Sequence, residues 1–177
     1  MRFFSKSFSR TLLLLSASLF AGCSMMNTAP SAPQVAPAPA YDQVAAIRAA
    51  GEREKSIIDV TPLREPGVAA LQDVARHDAQ TGNYAAAAAK LDQAIKTNPD
   101  SPDLLQDRAE MAIRLKDYAR AEQLAHKSWS LGPKLGPLCA RNWQTIVEMR
   151  LQANDKAGAD SARKWVQGCH KAGIPRY

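Results

Sequence analysis

Apolar residues are distributed along this chain in three ways. From Leu12 to Phe20 they form a nearly unbroken run, preceded by Arg2, Lys6 and Arg10. In residues 27–40, NTAPSAPQVAPAPA, they are mostly alanines set among Pro30, Pro33, Pro37 and Pro39, with no face that a core would need. From Val68 onward proline almost disappears and apolar residues, rich in alanine, fall at helical spacing. This last region repeats itself at a fixed interval. Leu71 returns as Leu105, Ala75 as Ala109, Tyr84 as Tyr118, Ala87 as Ala121 and Pro99 as Pro133. The small residues allow two antiparallel helices to approach closely, the tyrosines wedge the turn between them, and the prolines end the second helix. Ser101 and Pro102 follow as N-cap and first helical residue of the next unit.

A third unit is displaced. Asn154-Asp155-Lys156 occupies its turn, Trp143, Ile146 and Val147 its core sites and Ala159 its small site. The step from Tyr118 to Lys156 is longer than the step from Tyr84 to Tyr118, and the excess lies in the breaker-rich segment 132–138. A helix–turn–helix unit of this length with these small and aromatic sites resembles the tetratricopeptide repeat. The expected fold class is therefore all-α, a short tetratricopeptide-repeat solenoid of about three units after a disordered tether. Its expected organisation is a signal peptide at 1–22, a lipidated Pro/Ala-rich tether at 23–40, a linker or capping segment at 41–67 and the repeat domain at 68–177. Within 41–59, Val44, Ile47, Ile57 and Ile58 could line a weak helix that Gly51 interrupts.

The apolar run is short of the roughly 20 residues that span a bilayer and has the layout of a secretory signal. Its end, Phe20-Ala21-Gly22-Cys23, resembles the lipobox of bacterial lipoproteins, which implies acylation at Cys23. Ser24, in place of a retention aspartate, implies the outer membrane, with the chain facing the periplasm. Without the signal, 20 basic residues stand against 17 acidic ones, a formal charge of +3 rather than +6. That is too mild to indicate nucleic acid. The two remaining cysteines, Cys139 and Cys169, fall near the two neighbouring ends of the third helix hairpin. They read as a disulfide in an oxidising compartment or as two buried thiols. A metal site with His170 would be short of ligands.

No catalytic constellation is present: the chain has no nucleophile elbow, no zinc-protease motif and no phosphate-binding glycine loop. His77, His126 and His170 are scattered. The reading is of a non-enzyme without cofactor or metal. Stacked helix pairs instead offer a concave surface lined by the first helix of each unit. The positions that face this groove in the repeat family correspond to Gln72, Gln106 and Gln144, and to Arg76, Glu110 and Glu148, with Asp103, Ile113, Arg114, Arg141 and Leu151 nearby. They form either a protein-recognition groove or an ordinary solvated face. The segment Pro133–Arg141 is a second candidate surface, or a simple connector.

The layout as a whole, together with the Gly-Pro…Leu-Cys-Ala-Arg-Asn-Trp passage at 132–143, resembles the LpoP-type outer-membrane lipoproteins that activate class A penicillin-binding proteins. The resemblance implies a protein partner of that class and an allosteric, non-catalytic role. The stretch from Cys23 to Val68, about 45 residues, would reach roughly 150 Å extended or about 40 Å as a coil, suited to crossing the cell wall. The rival reading is a pilotin or outer-membrane assembly scaffold.

Overall fold

The computed structural model describes residues 40–54 and 64–171. The signal segment, Cys23, the Pro/Ala-rich tether, Ile57 and Ile58 lie outside the described residues. Among the described residues there are seven helices and no strand: α1 (Gln43–Arg53), α2 (Pro66–Gln80), α3 (Tyr84–Thr97), α4 (Pro102–Arg114), α5 (Tyr118–Leu131), α6 (Pro137–Gln152) and α7 (Lys156–Gly168). Helices α2–α7 form three antiparallel hairpins packed in sequence, and α1 lies against α6 and α4.

All three hairpins turn by one backbone device. Gly82, Lys116 and Asn154 adopt left-handed conformations, with φ of 82°, 63° and 58°. The next amide then reaches back to a carbonyl of the first helix: Asn83 to Asp78 at 2.8 Å, Asp117 to Ala112 at 2.9 Å and Asp155 to Arg150 at 2.8 Å. This Schellman pattern satisfies the carbonyls a helix end leaves unpaired. The same residue opens the following helix. Asp117 accepts from the Arg120 amide at 3.3 Å and Asp155 from the Gly158 amide at 2.8 Å, while Asn83 donates to Thr81 Oγ1 at 3.1 Å. The displaced third unit thus uses the same turn as the first two.

Between units the details differ from expectation in two places. Ser101 is the N-cap of α4, but its hydroxyl donates to Asp103 Oδ1 at 2.7 Å rather than capping a backbone amide. The inserted loop is also shorter than the segment 133–141, because Pro137 already begins α6 and places Arg141 on a helix. Gly136, at φ 86°, supplies the left-handed residue that precedes that proline.

The core divides into three clusters. One joins α2, α3 and α4 through Val68, Ala75, Ala87, Leu91, Leu104 and Met111. A second joins α4–α7 through Ala109, Ala125, Trp143, Ile146, Val147 and Ala162. Alanines at zero exposure (Ala87, Ala109, Ala121, Ala159) mark the close helix approaches. Cys139 and Cys169 are joined by a disulfide within the second cluster, closing α6 against the end of α7. All three tryptophans meet there: Trp143 stacks on Trp165 at 5.1 Å and meets Trp129 edge-on at 5.2 Å.

The third cluster exists because of α1. Val44 and Ile47 are buried against Ala112, Ile113, Ala121 and Met149. Gly51 does not interrupt this helix; it lets the helix approach α6. A Cβ at Gly51 would lie 2.8 Å from Arg141 Cγ and 3.2 Å from the Pro137 carbonyl oxygen. Asp42 caps the helix by accepting from the Ala45 amide at 3.0 Å.

Candidate protein-binding groove

The residues expected to face a groove do lie on α2, α4 and α6, but they fall into two halves. Over α4 and α6 the groove is filled by α1. Glu110, with zero exposure, accepts from Arg48 Nε at 2.8 Å and from Arg141 Nη2 at 2.5 Å. Glu148, also buried, accepts from the Tyr41 hydroxyl at 2.7 Å and from Gln144 at 2.8 Å. Arg114 donates to Asp42 at 2.8 Å and lies over the Tyr84 ring. Gln106, fully buried, donates to Thr145 Oγ1 at 2.9 Å. Ile113 packs in the α1 cluster, while Leu151 stays partly exposed.

The other half is an open cleft of about 970 Å³ between α1 and α2, floored by Ala75, Leu91 and Met111. Charge lines its walls. Gln72 donates to Asp107 Oδ2 at 2.7 Å, and Arg141 bridges Asp107 at 2.7 Å and Glu110. Arg64 pairs with Asp103, and Arg76 pairs with Asp73 at 2.7 Å on the exposed rim. Gln72, Arg76, Asp103 and Arg141 are thus brought to one open cleft, whereas Gln106, Glu110, Arg114, Gln144 and Glu148 lie in the part that α1 occupies or its floor.

The electrostatics follow this geometry. Burial disfavours the Arg141 guanidinium, but the Glu110 and Asp107 carboxylates outweigh it and hold its pKa above the ordinary arginine value. Tyr41 is pushed up to about 12, first by burial and then by its hydrogen bond to Glu148. Burial opposes ionisation of Asp42, yet the Ala45 amide and Arg114 bring its carboxyl below the usual range.

Tyr41, Asp42, Arg48, Arg64 and Asp107 are site residues that sequence reasoning did not single out. The only signal was the weak apolar spacing of Val44 and Ile47, which says nothing about where the helix docks. Among the described residues, no group of three or more His, Cys, Asp and Glu side chains could hold a metal ion. His126 lies edge-on to Trp143 and His170 lies 3.0 Å from Glu54, far apart along the chain. No helix among the described residues is long and apolar enough to cross a membrane. The arrangement suits binding: an apolar floor, fixed charges of both signs and a half-open concavity.

Comparison with known proteins agrees with the repeat. A tetratricopeptide-repeat family model matches residues 78–134. No curated protein sequence matches the chain. Among solved structures, the globular C-terminal domain of P. aeruginosa LpoP is similar, with 30% sequence identity and a TM-score of 0.56, covering 59% of this chain and 99% of that one.

Proposed function

Since the chain belongs to the LpoP-like family of tetratricopeptide-repeat proteins, we propose that it is a lipid-anchored periplasmic interaction module that activates a peptidoglycan synthase, a class A penicillin-binding protein. The observation that carries this reading is the likeness to the LpoP C-terminal domain over nearly all of that domain's length. The charged, half-open groove supports it, since it offers recognition without chemistry. Acylation at Cys23 would fix one end of the tether at the outer membrane, and the tether would raise the domain's effective concentration at an inner-membrane partner. Activation is then a coupling: the domain binds the active state of the synthase more tightly and shifts its population.

The test is to add the unacylated mature chain (residues 24–177) to a purified class A synthase and follow glycan polymerisation and cross-linking. Both rates should rise saturably. Absence of both binding and rate change would sink the activator reading. Digestion of cell wall by the protein alone would make it an enzyme, and capture of a secretin subunit would favour a pilotin. Lipid attachment is checked separately: a radiolabelled fatty acid should enter the wild-type chain and not Cys23→Ala.

A further inference from the structure

Helix α1 occupies the positions by which repeats two and three would hold a ligand, and it does so in the manner of a ligand. It buries Val44, Ile47, Ala50 and Gly51, on one face only. Its remaining contacts are polar: most reach residues on the groove side of α4 and α6, and its C-cap Glu54 meets His170 beyond α7. Arg48 meets Glu110, Tyr41 meets Glu148 and Asp42 meets Arg114. The outer partners are substantially exposed, 49% for the Arg48 side chain and 40% for that of Asp42.

The other two core clusters contain no α1 residue, so the stacked hairpins have cores of their own. A helix of 11 residues is also marginal in isolation, because nucleation is costly and few bonds follow it. Undocking and unfolding of α1 are therefore one event, local to this element. When it leaves, it uncovers two buried carboxylates, Glu110 and Glu148. A burial site with that floor disfavours an apolar or acidic replacement and accepts a basic one.

We propose that α1 is an exchangeable ligand held in cis, and that the segment able to replace it is a short helix from a protein partner. That helix carries β-branched residues at the sites of Val44 and Ile47, a basic side chain facing Glu110, and glycine where Gly51 meets Arg141. The inference rests on reading the domain as a protein-interaction module and specifies the segment such a groove takes. Its test uses no synthase, so it can fail while the activator reading stands, and the reverse.

The probe is a fluorescent peptide of residues 40–54, titrated against the mature chain and its Ile47→Glu variant with anisotropy as readout. Wild type, its groove already filled, should bind at least tenfold more weakly than the variant. Arg48→Glu in the peptide should abolish most of the variant's binding. A folded Ile47→Glu protein that does not bind the peptide, or equal binding to both proteins, overturns the proposal. Should that variant not fold, hydrogen exchange on wild type decides. Amides of residues 47–53 should exchange at least tenfold faster than those in the middle of α4 and α6, and equal protection would overturn it.

Discussion

The hairpin stack and helix α1 are both helical and both buried on one side, yet they are held by different physics. The stack repeats a local solution three times: a left-handed turn residue, an Asn or Asp at the N-cap position, and alanines at the crossings. Helix α1 has no covalent turn joining it to the elements it touches. Its place depends on a groove assembled from α4 and α6, which are distant from it in the chain and reach it only through tertiary contacts. Local and repeated contacts make a rigid spine, whereas a single distant docking makes a replaceable part.

The sharpest way to break this contrast is to cut equivalent cavities in both. Leu104→Ala, in the spine at zero exposure, should cost about 2–5 kcal/mol and lower the midpoint of global urea unfolding. Ile47→Ala, equally buried, should instead loosen α1 alone, seen as faster exchange of its amides with the global midpoint nearly unchanged. A comparable global shift in both would erase the distinction. Cys139→Ser should cost about 2–4 kcal/mol, because the bond closes a loop with a sequence separation of 30 residues. Thermal melts with and without reductant should differ for wild type and coincide for the variant.

Smaller effects probe the turns. Gly158→Ala would press a Cβ onto Asp155 Oδ2 and displace the cap of α7, costing about 1 kcal/mol. Lys116→Gly should stabilise by about 1 kcal/mol, since an exposed non-glycine residue there is held at φ 63°. The gain from Asn154→Gly should be smaller, because asparagine tolerates that region better. Urea midpoints of the three variants check the order.

The least effect on α1 comes from pH. The folded-state pKa of Asp42 lies below 3.8, so its contribution is present above that value and is lost as pH falls through the depressed one. Tyr41 is raised from 10.0 to about 12, so its contribution is full below pH 10.0 and is lost as pH rises through about 12. Exchange of α1 amides, corrected for intrinsic rates, should therefore be slowest between these limits.

These two regions also differ in how far they can be read from the chain. The repeats are legible because each unit states its own structure within one period, and the third shows through its displacement by Asn154-Asp155-Lys156. Pro137 is harder. It stands in a run of breakers and reads as loop, yet it is the first residue of α6, where a proline costs no hydrogen bond. Gly51 misleads for a similar reason. A glycine inside a helical pattern argues for interruption, and only the nearness of Arg141 and Pro137 shows why a side chain has no room there. The groove positions fall on the helices expected of them, but whether each is open or covered depends on a neighbour that no spacing rule identifies.

The sequence by itself determined the helical units, their turns and their order, because these follow from backbone preferences and side-chain size over a few residues. It also carried an apolar run and a Pro/Ala-rich stretch at the other end of the chain. Only the tertiary structure decided which half of the concave surface stays open. That choice rests on Glu110 and Glu148 being buried under α1 with Arg48 and Tyr41 as partners, a match of charge and shape between segments that are neighbours only once the repeats have stacked.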